Sequence, residues 1–222
     1  MVRAFAALAF CSAAAAAQSI GDAPNVWDLA LANGSGATTV SAALSRSTYV
    51  GTSDRLRAGF AVRATLITGT VNLEPRDPRG IGGHDDVLTT AAGAMLINVG
   101  VNVGYEVSPR LLAGMNLDVF GISAGGNHAA TLYPEGGGSP VAITVKPDSP
   151  NLFAGGSSDR GSLNSEFFVQ WALTDRHALR AGLSHQLIGV AFAGEGGAGA
   201  SSLEYRKFVN LAFVGLRITA GR

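Results

Sequence analysis

The chain has 222 residues, of which 47% are hydrophobic and 14% are charged, with 30 glycines and equal numbers of basic and acidic residues. Soluble domains average about 25% charged residues, so this composition excludes a disordered tail or a solvating acidic protein. A formal net charge of zero gives no sign of the excess basic charge that nucleic-acid binding requires, so no nucleic-acid partner is expected.

The N-terminal segment has the pattern of a secretory signal peptide. A basic start is followed by a short apolar stretch and then by a run of alanines that ends at Ala17. We therefore expect a signal peptide over residues 1–17 and a mature domain over residues 18–222. Cys11 is the only cysteine, and it leaves a lipoprotein signal as the alternative.

The rest of the chain alternates between apolar and polar residues, and a period of two predicts β-strands. Long runs such as Met95–Val107, with apolar residues at every odd position, exceed the usual strand length of five or six residues. The strands are predicted at 26–33, 38–51, 55–70, 88–107, 110–124, 161–174, 177–193 and 203–220.

The connections differ between the two ends of the predicted strands. Short polar turns near residues 52, 108 and 174 lie at one end, whereas long Gly- and Pro-rich loops, 70–87 and 126–160, lie at the other. This arrangement is typical of an all-β, up-and-down antiparallel barrel of about eight strands.

Three features favour an apolar face that contacts lipid. The polar face is rich in Gly, Asn and Ser rather than Lys and Glu. The apolar run that ends at Val107 would span about 25 Å or more, which is the height of a lipid-facing band. Tyr49, Tyr105 and Trp171 precede the short turns, where an interfacial aromatic belt would lie. The alternative is a secreted, soluble, lipocalin-like barrel with the apolar face inside.

Three internal stretches and the last strand carry a family resemblance. They are residues 55–63 (RLRAGFAVR), 114–121 (GMNLDVFG), 160–168 (RGSLNSEFF) and the final Phe213-x-Gly215-x-x-Ile218-x-Ala220. Here the chain resembles the small outer-membrane β-barrel proteins of Gram-negative bacteria, of the size of the OmpA transmembrane barrel. The last strand departs from the barrel-assembly signal because it lacks a terminal aromatic residue.

The resemblance implies a cell outer-membrane localisation with short periplasmic turns and long extracellular loops. It also implies outer-membrane lipids and lipopolysaccharide as neighbours, and the barrel-assembly machinery as a partner during insertion. We expect a structural or surface-interaction role, with an extracellular partner reached through loops 70–87 and 126–160.

With lipid outside, the polar face lines the lumen. An eight-stranded barrel is just wide enough for side chains to fill, so a paired polar network that fixes the strand register is expected. A narrow porin-like channel for small solutes is the alternative. The lumen-lining residues are Arg57, Arg63, Asn98, Asn102, Asn116, Asp118, Glu166, Gln170, Arg180 and Gln186.

No catalytic residue, cofactor or metal ligand is expected. Ser184 and His185 suggest a lipid-modifying enzyme, but adjacent side chains of a strand point to opposite faces and cannot share a proton. His84-Asp85-Asp86 offers three potential metal ligands, and such consecutive loop residues are more often a solvated cluster.

Overall fold

The computed structural model describes residues 24–52, 54–75, 86–134, 137–155, 158–192 and 204–220. The predicted signal peptide lies outside these residues. Within the described ranges, no helix is long and apolar enough to cross a membrane. Twelve strands of the described chain form one antiparallel sheet: β1 (Val26–Gly34), β2 (Ala37–Tyr49), β3 (Leu56–Pro75), β4 (Val87–Ala91), β5 (Ala94–Ser108), β6 (Leu111–Ala124), β7 (His128–Tyr133), β8 (Val141–Pro147), β9 (Asn151–Leu152), β10 (Leu163–Ala172), β11 (His177–Phe192) and β12 (Glu204–Thr219).

Eight of the described strands close into an up-and-down barrel, as predicted. Their order is β1, β2, β3, β5, β6, β10, β11 and β12, and β12 pairs back onto β1. Each neighbouring pair is antiparallel, so the backbone hydrogen bonds of the wall are formed between strands, with bulges in the β5–β6 pairing. We call this eight-stranded part the membrane tier.

The register around the membrane tier determines the tilt of its strands. The paired residues, followed once around the wall from Ala58, return to β3 at Thr68, a shift of ten residues. Ten residues at about 3.3 Å against eight strands at about 4.8 Å correspond to a tilt of roughly 40°. The ten residue steps from Leu56 to Leu66 on β3 then rise by about 25 Å, the height of a bilayer's apolar band.

Above the membrane tier, six of the described strands form a second, narrower ring, which we call the outer tier. The upper parts of β3, β11 and β12 join β4, β7 and β8 in the order β3, β4, β7, β8, β11, β12, and β12 closes onto β3. The closing pairs are Tyr205 with Pro75 and Arg206 with Glu74. The strands of the barrel therefore continue beyond the bilayer.

The β1–β2 turn explains why the ring narrows. The turn ends at Gly36, whose carbonyl oxygen accepts a hydrogen bond from the Thr70 amide at 2.9 Å. A Cβ on Gly69 would lie 2.2 Å from that same oxygen, and Gly69 has a φ of +133°, a conformation that glycine adopts without steric cost. Above this point β3 has no β2 beside it and pairs with β12 instead.

The outer tier corrects two sequence predictions. The segments 70–87 and 126–160 were expected to be irregular loops, yet they contain the upper end of β3 and the strands β7, β8 and β9. The single strand expected at 88–107 is two strands, β4 and β5, which pair with different parts of β3. The strands β4, β7, β8 and β9 are short. They pair only because the second ring closes, and alternation along a single strand does not predict that closure.

The character of the two faces inverts from one tier to the other. In the membrane tier β3 turns Phe60, Val62 and Leu66 outward and Arg63 inward, whereas in the outer tier it turns Val71 and Leu73 inward beside the outward Asn72. The apolar core therefore lies in the outer half of the molecule. Its fully buried side chains include Leu73, Leu88, Val145, Leu211, Ile67 and Leu96.

Candidate functional site

The lumen of the membrane tier holds a cluster of six charged side chains, which we call the charged cluster. It contains three arginines and three carboxylates, so its formal charge is balanced. Its members come from six different strands of the barrel, and they are Arg63, Arg180, Arg217, Asp28, Asp118 and Glu166. Five of them are almost fully buried, and Arg217 is partly buried.

Glu166 is the centre of the charged cluster. Arg63 Nη2 donates to Glu166 Oε2 at 3.1 Å, and Arg63 Nη1 lies 3.0 Å from Oε1 as an ion pair. The same carboxylate accepts from Asn116 Nδ2 at 2.8 Å, Asn164 Nδ2 at 3.2 Å and Arg180 Nη2 at 3.4 Å. A buried carboxylate requires this number of donors, because desolvation is costly without them.

Asp28 completes the charged cluster on the side of the last strand. Arg217 donates to both of its oxygens at 2.8 Å, and Arg180 Nη1 lies 3.1 Å from Oδ1. The guanidinium of Arg180 also lies over the ring of Phe168, with 3.9 Å to the ring centroid. Arg180 thus bridges Asp28 and Glu166 across the lumen while an aromatic face covers it.

A chain of amides extends the network towards the outer tier. Asp118 Oδ2 accepts from Asn98 Nδ2 at 2.8 Å, and Asn98 Oδ1 accepts from Asn151 Nδ2 at 2.8 Å. Asn151 Oδ1 in turn accepts from the Ser123 hydroxyl at 2.7 Å and from the Ser162 amide at 2.9 Å. The short strand β9, which carries Asn151, is thereby joined to the lumen.

All ten residues named from the sequence lie on the inward face, but they do not all meet. Arg63, Asn98, Asn116, Asp118, Glu166 and Arg180 belong to the hydrogen-bonded network just described. Gln186 instead donates to the carbonyls of Leu163 and Leu187. Arg57 pairs with Glu106 and lies over the Tyr49 ring. Asn102 Nδ2 and Gln170 Oε1 have no hydrogen-bond partner within the described ranges.

The sequence reading missed several members of the network. Asp28 on the first strand and Arg217 on the last lie between outward-facing residues. Their position in this alternation could have identified them as inward-facing. Asn164 has the same inward parity on β10. Asn151 had no such signal, since it lies in a segment that was expected to be a loop.

A cavity of about 470 Å³ opens at the short-turn end of the barrel, below the charged cluster; we call it the vestibule. Its lining includes the turn residues Arg110 and Arg176 and the inward side chains Arg57, Gln170 and Arg217. Above the charged cluster the lumen is occupied by the apolar core.

Ser184 and His185 lie on opposite faces of β11. Ser184 Oγ donates to Asn164 Oδ1 inside the lumen at 2.7 Å, whereas His185 is exposed and its Nδ1 lies 2.7 Å from Asn210 Oδ1. The two side chains therefore do not form a nucleophile–base pair. Within the described part of the chain there is no group of three or more potential metal ligands; His84 and Asp85 lie outside it.

The outer wall carries a band of exposed large apolar side chains with defined edges. Near the short-turn end the band contains Trp27, Tyr49, Tyr105 and Trp171, all exposed, and Val107 and Leu173 lie closer to the turns. At the other end polar residues take over the outward positions, namely Asn33, Thr38, Thr68, Ser165, His185 and Asn210.

A closed antiparallel barrel with a polar interior, an apolar outer band about 25 Å high and an interfacial aromatic edge has the architecture of an outer-membrane β-barrel protein. The chain is a protein of this class, located in the cell outer membrane. The face assignment of a soluble, lipocalin-like barrel is wrong for the membrane tier, because the apolar side chains point outward there.

No protein-family model and no curated protein matches the chain. Among solved structures, Neisserial surface protein A is similar at 15% identity and a TM-score of 0.38, over 88% of this chain and 94% of that chain. The attachment invasion locus protein Ail of Yersinia pestis is similar at 8% identity and a TM-score of 0.28, over 88% and 97%. The toluene transporter TodX of P. putida matches at 10% identity and a TM-score of 0.27, over 89% and 78%. The strand pairing and the two faces of the wall define the class.

Proposed function

We propose that this protein is a non-catalytic outer-membrane barrel that acts through its outer tier, in a structural or surface-interaction role. The observation that carries the proposal is the apolar core that fills the lumen where the strands leave the bilayer. Leu73, Leu88 and Val145 are 0% exposed there. Packed apolar side chains leave no continuous polar path, so the proposal favours a closed barrel over a narrow porin-like channel.

The outer tier supports the surface role because it extends the strands beyond the apolar band. Its outward face carries polar pairs between exposed apolar side chains: Thr89 Oγ1 donates to Asn72 Oδ1 at 2.8 Å, and Lys207 pairs with Glu74 at 3.2 Å. Tyr133, Val141 and Phe208 are exposed on the same ring. A rigid, water-facing ring is a suitable platform for recognition of an extracellular partner. The outer-membrane lipids, lipopolysaccharide and the barrel-assembly machinery remain the expected neighbours and partners.

Two measurements test the proposal. Refolded protein in a planar bilayer should give no stable conductance steps, and reproducible steps would favour the channel. Orientation is tested with two matched cysteine variants, Thr144→Cys in the outer tier and Thr52→Cys in the β2–β3 turn, both at exposed positions.

A membrane-impermeant maleimide should label Thr144→Cys on intact cells and Thr52→Cys only after the cells are lysed. The opposite pattern would place the outer tier in the periplasm and would contradict a surface role.

A further inference from the structure

The vestibule contains positive charge that no other described residue neutralises. Of the arginines in its lining, Arg57 is paired with Glu106, and Arg217 is paired with Asp28. Arg110 and Arg176 form no side-chain ion pair or hydrogen bond within the described ranges. Asp175 is the other acidic residue in the described lining, so an excess positive charge remains.

Backbone hydrogen bonds hold the turns that carry these two arginines beside each other. The Ala172 amide, at the end of β10, donates to the Arg110 carbonyl at 2.8 Å. The Thr219 amide donates to the Arg176 carbonyl at 2.8 Å, which joins the β10–β11 turn to the last strand. The two guanidinium groups are therefore presented to one cavity by a fixed backbone frame.

The lining also contains apolar and unsatisfied polar groups. Leu111 and Leu173 contribute an apolar wall. Gln170 Oε1 and Arg57 Nε are polar atoms of lining residues that have no hydrogen-bond partner within the described chain. An inorganic ion would leave the apolar wall unused, whereas an organic anion with hydroxyl or amide groups would contact both kinds of surface.

We propose that the vestibule binds an organic oxyanion, a carboxylate or a phosphate monoester, through Arg110 and Arg176. Guanidinium groups present paired N–H donors that match the oxygens of either group. The vestibule lies at the end of the barrel opposite the outer tier, so this binding activity is separate from the proposed surface role. Its ligand comes from the periplasmic side.

The test is isothermal titration calorimetry on the full mature chain, refolded in an uncharged detergent. One arm uses N-acetyl-trialanine, with N-acetyl-trialanine amide as its uncharged control. The other arm uses glycerol 3-phosphate, with glycerol as its control. We expect at least one anion to bind and its control to bind at least tenfold more weakly. Raising NaCl from 50 to 500 mM should weaken the binding, because the cavity is open to solvent.

The variant Arg110→Gln/Arg176→Gln should weaken the binding at least tenfold. Arg55→Gln, which removes an arginine from the same end of the barrel but outside the vestibule lining, should change it less than twofold. Heat-modifiable migration on a gel checks that both variants are folded.

The two arms identify the anion: binding in the peptide arm alone indicates a carboxylate, and binding in the other arm alone indicates a phosphate ester. Equal binding of the neutral controls would overturn the proposal. So would unchanged affinity in the double variant, or no binding of either anion at millimolar concentration.

Discussion

Replacement of Glu166 by glutamine tests whether the charged cluster stabilises the barrel. The substitution keeps the size of the side chain but leaves Arg63, Arg180 and Arg217 facing only Asp28 and Asp118. It also places an amide donor against the Arg63 guanidinium, which now contacts Glu166 at 3.0 and 3.1 Å. Removal of one partner of a buried ion pair costs about 3–5 kcal/mol. We therefore expect the free energy of unfolding to fall by that amount.

A double-mutant cycle separates charge balance from loss of packing. Arg63→Met alone should cost a similar amount, because it leaves Glu166 and Asp118 in excess. The variant Arg63→Met/Glu166→Gln restores equal numbers of buried charges, with two arginines facing two aspartates. Its cost should fall below the sum of the single costs by roughly 2 kcal/mol or more, as is typical for residues in contact.

The assay is urea unfolding in lipid vesicles, followed by the fluorescence of Trp27 and Trp171 and by heat-modifiable migration. The exposed pair Lys207–Glu74 is the control, and Glu74→Gln should change the unfolding free energy by less than about 1 kcal/mol. If Glu166→Gln were as mild as that control, or if the single costs were strictly additive, the ion pairs in the lumen would not stabilise the fold.

Three further predictions concern packing and pH. Gly114→Ala should cost about 1–3 kcal/mol, because its Cβ would lie 2.7 Å from the Phe168 ring. Leu88→Ala should cost about 2–5 kcal/mol, because Leu88 is fully buried in the outer-tier core. The pKa of Asp148 is raised by burial and by nearby Glu204. Protonated Asp148 therefore favours the folded state below the unfolded pKa, and this stabilisation is lost as the pH rises through the folded pKa. Asp148→Asn, which cannot ionise, should therefore be more stable than the unsubstituted chain at neutral pH.

Each of these predictions has a measurement and a control. Urea unfolding midpoints measure the effects of Gly114→Ala and Leu88→Ala. Gly126→Ala is the control for the glycine variant, because nothing lies within 4 Å of its added Cβ. Leu183→Ala, at a lipid-facing position, is the control for the buried Leu88. Equal costs for control and test variants would refute the packing argument. The pH prediction is tested by measuring the free energy of unfolding of Asp148→Asn and of the unsubstituted chain at pH 4 and pH 7. The same stability difference between the two proteins at both pH values would contradict it.

The sequence alone was sufficient to predict the wall of the membrane tier. Side chains alternate strictly in a strand, so once the lipid-facing residues of β5 are known, Asn98 and Asn102 must point inward. The same parity places Arg63 and Glu166 in the lumen. Eight strands and the short turns also followed, because turn residues and apolar periodicity are local properties of the chain.

Tertiary structure decided which inward residues meet. Parity places a residue on a face, but the shift of ten residues around the barrel brings Glu166 to Arg63, 103 positions away in the chain. Asp28 likewise meets Arg217 only because β12 closes onto β1. No local pattern contains this register, since it results from the summed stagger of all eight strands.

The outer tier depended on tertiary structure even more. Its strands β4, β7 and β8 are five to seven residues long, and their Thr- and Ala-rich alternation is too short to distinguish a strand from a loop. They become a ring because the β1–β2 turn ends early and lets β12 pair with β3 above it. Alternation and turn spacing in the sequence indicated an up-and-down barrel with lipid outside. Closure of the second ring decided that the lumen ends in an apolar core, because that core forms only when distant strands meet.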